Sequence, residues 1–187
     1  MTVTKSRKAA LLDRDGTINV DTHFLHDVND VALLPGAATA IKQLAAAGYP
    51  AFVFTNQSGI ARGVISLAAY HAVRERIDEL LSIEGAVIVD TFTCPHHPDV
   101  LGPCACRKPG LELFERAATM YDLDLSQCVY AGDRMRDVEP ALVYGGKGAL
   151  VVSHHTTEEQ IIEARNAGLP VVPSLIDAVP LLLGSSA

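Results

Sequence analysis

This 187-residue sequence predicts an α/β fold, a parallel sheet covered by helices on both faces. Two observations carry that expectation. Short apolar runs alternate with amphipathic helical stretches from end to end, the order produced when crossover helices lie on the faces of a sheet. No linker or internal repeat interrupts the order, so residues 1–187 are expected to form one domain, long enough to bury a substantial core.

Ala9–Leu12 reads as the first strand. Gly36–Ala47 reads as a helix, with Ala37, Ile41, Leu44 and Ala45 on one face and Gly48 as its stop. Ala51–Phe54 is a short apolar strand. Ser66 can N-cap a helix through Leu81, with Leu67, Tyr70, Val73, Ile77, Leu80 and Leu81 as its apolar stripe. Val87–Phe92, rich in β-branched residues, is the next strand. Helix Leu111–Met120, strand Val129–Ala131, helix Val138–Tyr144 and strand Ala149–Val152 follow. Thr157–Ala167 is helical ahead of Gly168, Val171–Val172 is the last strand, and an apolar helix closes the chain. Two segments break the alternation, Asn19–Pro35 and Thr93–Pro109, and loops of such length in a compact domain are often functional.

With 49% apolar residues, 20% charged and a formal charge of −7, the chain has the make-up of a soluble globular protein. Its negative charge argues against nonspecific nucleic-acid or membrane binding, so a phosphorylated ligand must be drawn in by a local cluster of cations. No apolar run reaches membrane-spanning length, and residues 1–8 are polar with no apolar stretch behind them. Four cysteines, three of them in one short segment, suggest metal ligation in a reducing cytoplasm rather than a disulfide framework.

Three polar clusters each follow an expected strand, so a parallel sheet brings them to one edge, where such folds bind ligands. Asp13 and Asp15 follow the first strand, Thr55-Asn56-Gln57-Ser58-Gly59 the second, and Gly132-Asp133 with Asp137 a later one. Each alone reads equally as a cap or turn. Together they suit phosphoryl transfer: a carboxylate to attack phosphorus, a second to move the proton, and a divalent cation to offset their repulsion. A hydroxyl, backbone amides and one lysine would hold the equatorial oxygens. Lys108 is the candidate, although by itself it reads as an exposed loop lysine. The run Cys94-x-His96-x₇-Cys104-x-Cys106 offers three thiolates and an imidazole for tetrahedral Zn²⁺, with His97 a competing ligand. Cys128, in an expected strand, reads as core.

Asp13-Arg14-Asp15-Gly16-Thr17, Thr55, Lys108 and Gly132-Asp133 with Asp137 resemble the four motifs of the haloacid dehalogenase (HAD) superfamily. Residues 13–21, 55–63, Cys-Pro-His-His-Pro at 94–98 and Cys-Arg-Lys-Pro at 106–109 narrow the likeness. They resemble the D-glycero-D-manno-heptose-1,7-bisphosphate 7-phosphatase family, whose near relatives are histidinol-phosphate phosphatases. The resemblance implies a Rossmann-like, capless HAD-type α/β fold with a zinc-stabilised loop. It implies a monomeric, cytoplasmic, Mg²⁺-dependent phosphatase of a small phosphorylated sugar, in nucleotide-activated heptose synthesis, with histidinol phosphate or another small sugar phosphate as the alternative substrate.

Carried over residue by residue, the resemblance makes Asp13 the nucleophile and Asp15 the acid/base. It places Mg²⁺ on Asp13, the Asp15 backbone carbonyl and Asp133, and assigns Thr55 and Lys108 to phosphoryl stabilisation. Asp21, Thr22, His23, Phe24, Asn56, Gln57, Ser58, Arg107 and Arg134 would contact substrate, with Arg62 a further helper. Cys94, His96, Cys104 and Cys106 would hold Zn²⁺, His96 being favoured over His97. Two departures stand out: Pro109-Gly110 replaces the family's Pro-x-Pro-Gly, and the zinc loop is short between His96 and Cys104. Both fall on the substrate-facing side.

Overall fold

The computed structural model describes residues 7–184; the polar opening stretch lies outside it up to residue 6. The elements follow in the order β1 (Ala10–Leu12), α1 (Ala37–Ala46), β2 (Ala51–Asn56), α2 (Ser58–Ala61), α3 (Leu67–Ile83) and β3 (Ile88–Cys94). Then come α4 (Pro98–Leu101), α5 (Glu112–Tyr121), β4 (Val129–Gly132), α6 (Met135–Tyr144), β5 (Lys147–Val151), α7 (Glu158–Asn166), β6 (Val171–Val172) and α8 (Leu175–Leu183). All six strands pair in parallel in the order β3-β2-β1-β4-β5-β6. This is the Rossmann-like arrangement, and the chain reverses its direction of growth between β1 and β4.

Side-chain alternation sorts the strands onto two cores. Ala10 and Leu12, Ala51 and Val53, Val129 and Ala131 pack on one face under α1, α3 and α8. Leu11, Phe52, Phe54 and Tyr130 pack on the other face against Leu113, Phe114 and Ala117 of α5. Phe54 stacks between Phe92 and Phe114, at ring separations of 5.2 and 4.4 Å. Strands buried on both faces have no solvent side, which explains their unbroken apolar runs.

Every expected helix and strand is present, with shifted ends. Ser66 Oγ accepts the Ala69 amide at 3.1 Å, the expected N-cap. The stripe of α3 is Tyr70, Val73, Ile77 and Leu81, with Leu80 partly buried against the same core; Leu67, in the first turn, is 60% exposed. Ala45 likewise falls outside the buried face of α1. β2 and β3 each run two residues past their expected ends, carrying Thr55, Asn56 and Cys94 into the sheet. The α6 helix starts three residues early, because the Asp137 carboxylate accepts the Arg134 amide at 3.0 Å and closes its first turn. The two long loops contain the four-residue helix α4 and a short 3-10 turn at Val28–Asp30, and the four-residue α2 lies in the connection from β2 to α3.

Candidate active site

β1 ends in the middle of the sheet, with β2 and β4 on either side: Leu12 is in register with Val53 and with Ala131. Asp13 continues the ladder by one bond, its amide donating to Ala131 O at 2.9 Å. The chain then turns at Gly16, where φ is 83°. A side chain there would collide with Asp133, since a Cβ would stand 2.5 Å from its carboxylate oxygen. Gly132 is equally constrained, its position lying 2.2 Å from Asp137 Cβ when a Cβ is added. These two bare positions let the β1 and β4 loops close together. Asp13, Asp133 and Asp137 consequently each bring a carboxylate oxygen within 4.8 Å of the others.

Lys108 enters this cluster from below. Its ammonium meets Asp13 Oδ1 and Asp137 Oδ1, each at 2.7 Å, and donates to the Phe54 carbonyl. The side chain is 1% exposed, so the reading as an exposed loop lysine is discarded. Three carboxylates face the Lys108 ammonium, with the Arg134 guanidinium approaching Asp133 only to 4.0 Å, so acidic groups outnumber the cations beside them. Burial first, then Asp137 and Asp133, push the Asp13 carboxyl up to about 8 even though Lys108 pulls it down. Burial also raises Asp133, against the hydrogen bond from Ser153. A divalent cation bound by hard carboxylate oxygens relieves this excess, so the donor set fits magnesium.

Asp15 has the opposite environment. It accepts from Arg14 Nε and Nη2 at 3.1 and 2.8 Å, from Asn19 Nδ2 at 3.0 Å and from Gln57 Nε2 at 2.7 Å. Burial works to raise its pKa, but the Arg14 charge and these four donors overcome it and hold the group below the usual carboxylate range. The Asp15 carboxylate is not part of the three-acid cluster, which leaves only its backbone available to an ion there.

The end of β2 supplies the opposite wall. Thr55 is buried, and its hydroxyl accepts from Gln57 Nε2 at 2.7 Å. Asn56 binds the Lys108 backbone in both directions, Nδ2 to Lys108 O and Lys108 N to Oδ1, each at 3.1 Å. Asn56 and Gln57, expected to touch substrate, thus also position Lys108 and Asp15. The loop after β1 closes the mouth: Asp21, His23 and Phe24 line the cavity, and His23 and Phe24 both adopt left-handed backbone, φ 55° and 61°. Thr22 is exposed and does not line it. His155 fixes Asp21 through a 3.1 Å contact.

The cysteine loop lies beside this mouth. Cys106 Sγ stands 3.0 Å from Cys94 Sγ and 3.4 Å from Cys104 Sγ, and 3.2 Å from His96 Nδ1. Such separations exceed a disulfide bond and approach the edge of about 3.8 Å of a zinc–sulfur tetrahedron. Three soft sulfurs and an imidazole fit zinc. His97 is excluded from the cluster: its Nδ1 caps α4 and its Nε2 meets Arg62 at 2.6 Å. Cys128 is buried core, as expected, and burial raises its thiol to about 11.

The cavity above the acids has a volume of about 300 Å³, with Arg62, Arg107, Arg134 and Arg136 along its wall. Sequence reasoning overlooked Arg136 and Ser153, and it weighed His97 as a zinc ligand rather than as part of the cavity wall. Ser153 donates to Asp133 Oδ2 at 2.6 Å, and its place just past a strand on the same edge was the available signal. Asp137 was noticed, but its partnership with Lys108 was not. Arg136 carried no signal.

Known proteins resemble this one. The HAD-hydrolase-like family model matches residues 105–178. A D-glycero-beta-D-manno-heptose-1,7-bisphosphate 7-phosphatase of Haemophilus ducreyi is 35% identical over 179 residues, 93% of this chain and 97% of the relative. The alpha-anomer enzyme of Photorhabdus laumondii is 34% identical over 158 residues, 81% of this chain and 86% of its own. Among solved structures, D,D-heptose 1,7-bisphosphate phosphatase from B. bronchiseptica, complexed with magnesium and phosphate, superposes with a TM-score of 0.81. It is 33% identical, over 96% of this chain and 99% of that one.

Proposed function

Because this chain belongs to the D-glycero-D-manno-heptose-1,7-bisphosphate 7-phosphatase family of HAD-like hydrolases, we propose that it removes the 7-phosphate of that sugar through an aspartyl-phosphate on Asp13. The observation that supports this most is the pairing at the end of β1. Asp13 sits among buried charges under the cavity, and Asp15, two residues on, is held apart by its own donors.

An Asp13 oxygen attacks phosphorus as the bond from phosphorus to the sugar oxygen breaks. Asp15 gives its proton to that leaving oxygen. The phosphate dianion entering beside Asp15 raises its proton affinity, so the carboxylate that is ionised in the open site is protonated with substrate present. In the second half Asp15 takes a proton from water, whose oxygen attacks phosphorus, and phosphate leaves with Asp13 restored. Lys108 and the Thr55 hydroxyl hold the phosphoryl oxygens. Asp13, the Asp15 carbonyl and Asp133 would hold Mg²⁺, which when bound offsets the repulsion between carboxylate and phosphate. Ser153 fixes Asp133 for that role.

Cys94, His96, Cys104 and Cys106 are read as a structural Zn²⁺ site, supported by their convergence. Arg107 and Lys108 directly follow the last ligand, so the metal pins the segment that delivers both cations. A thiolate site of this kind calls for a reducing compartment, which favours the cytoplasm. The working unit is taken as one chain, since every residue in the reading comes from a single copy.

The test is a comparison of kcat/KM for heptose 1,7-bisphosphate and histidinol phosphate, with Asp13→Asn as the control. Preference for the heptose and loss of turnover in the variant are expected. Preference for histidinol phosphate would reassign the substrate, and an active D13N would overturn the mechanism.

A further inference from the structure

We propose that His155 is a positioning residue for substrate binding: it holds Asp21, and through Asp21 the His23–Phe24 turn at the cavity mouth. This rests on the phosphatase reading above and deepens it. Asp21, His23 and Phe24 border the cavity, whereas His155 stands behind them and does not. Both oxygens of Asp21 are engaged within the protein. Oδ1 accepts the His23 amide at 2.9 Å, and Oδ2 stands 3.1 Å from His155 Nε2. A carboxylate only accepts, so the imidazole faces it with a hydrogen on Nε2. Both side chains are about three-quarters shielded from solvent, with 22% of Asp21 and 26% of His155 exposed.

The turn needs that support. His23 and Phe24 are consecutive residues in left-handed backbone, a conformation that side chains disfavour and that persists where neighbours impose it. Asp21 imposes it from one side through the His23 amide, and His26 from the other, its Nδ1 donating to the Phe24 carbonyl at 2.8 Å. With the turn set, the Phe24 ring reaches across to α2, where a Cβ added to Gly59 would stand 2.8 Å from Phe24 Cδ1. Asp21 directs this turn only while its own carboxylate is fixed, and His155 is the side chain that fixes it. His155 has a firm base in turn. Thr156 Oγ1 accepts the Ser153 amide at 2.9 Å and closes residues 153–156 into a turn. Ser153 Oγ and Thr156 Oγ1 then donate to Asp133 Oδ2 and O at 2.6 and 2.7 Å, and the His155 amide donates to Ser153 Oγ at 3.0 Å. One turn therefore grips Asp133 through hydroxyls and Asp21 through an imidazole. The grip on Asp133 uses no part of the His155 ring, so truncating that ring releases Asp21 alone.

The experiment measures KM and kcat for heptose 1,7-bisphosphate in the wild type, His155→Ala and His155→Gln, with backbone deuterium exchange over residues 21–26 of each Mg²⁺-loaded protein. H155A is expected to raise KM about 3- to 10-fold, the scale of a partly exposed contact to a charged group, with kcat kept within about twofold. Exchange over 21–26 should quicken while that over 133–137 stays the same. H155Q, which returns a donor near the position of Nε2, is expected to recover most of both effects. Asp21→Asn keeps the acceptor for the His23 amide and breaks the contact from the other side; matching exchange there carries the test should H155A fail to fold. An unchanged KM or unchanged exchange in H155A, or a fall in kcat that H155Q does not recover, overturns the positioning role and leaves the phosphatase reading intact. A wild type that does not hydrolyse the heptose overturns that reading, and exchange over 21–26 still decides whether His155 holds the turn.

Discussion

Replacing Lys108 by Met keeps the length of the side chain and removes its charge, which makes it the sharpest probe of the buried cluster. The ammonium is 1% exposed and lies 2.7 Å from both Asp13 and Asp137. Its loss leaves those carboxylates facing each other with no cation. Removing one partner of a buried ion pair costs about 3–5 kcal/mol. For a chain of this size that corresponds to a melting point about 6–20 °C lower. Asp137→Asn added to K108M removes one of the stranded charges and should recover part of the loss, giving a coupling of about 0.5–3 kcal/mol. Mg²⁺ should recover more, because it binds the folded cluster and not the unfolded chain. The assay is thermal unfolding of wild type, both single variants and the double variant, in chelator and in excess Mg²⁺. A K108M melting point within about 2 °C of wild type in chelator would show that Lys108 does not neutralise the cluster.

Gly132→Ala should lower stability by about 1–3 kcal/mol and reduce turnover, because its methyl would displace Asp137; denaturant unfolding and steady-state kinetics check both effects. Metal-free protein should become less stable as pH rises. Asp13 ionises at 3.8 when unfolded and at about 8 when folded, so the folded state binds the proton more tightly and that advantage disappears as pH climbs through 8. Melting in chelator should accordingly fall between pH 6 and pH 8, and saturating Mg²⁺ should abolish the fall; an unchanged slope would contradict the charge balance drawn for the cluster. Stripping zinc, or Cys106→Ser, should lower the melting point and reduce activity about tenfold or more together, since Cys106 adjoins Arg107 and Lys108. Native mass spectrometry tracks the metal, and a zinc-free chain with full activity would refute the role.

Much of the site was legible because the sheet does the assembling. Once Ala9–Leu12, Ala51–Phe54 and Val129–Ala131 are read as parallel strands, Asp13, Thr55 and Asp133 must share an edge. The thiols were legible by spacing, and the structure brings them together with His96. Other features depended on contacts between distant segments. Nothing local marks Lys108 as buried; Asp13 and Asp137, 95 and 29 positions away by number, together with the Phe54 carbonyl make an ammonium tolerable there. Asp137 could be read as a helix cap or as part of the site. It is both: one oxygen accepts the Arg134 amide, while the other meets Lys108. Helices α2 and α4, four residues each, are too short to show a period. The exposure of Leu67, at the first position of α3, is not something a stripe on a helical wheel reveals.

The two bonds between Asn56 and the Lys108 backbone have a consequence for how this protein tolerates change. They give the lysine a second anchor on the sheet, beside the one that the Cys94–Cys106 loop provides. Residues 98–103, which lie between the ligands and outside the cavity lining, are therefore where a change of length or composition is least transmitted to the reacting groups. Grafting a relative's 98–103 segment is accordingly a rational way to alter the rim of the cavity while the catalytic floor stays held at one amide side chain.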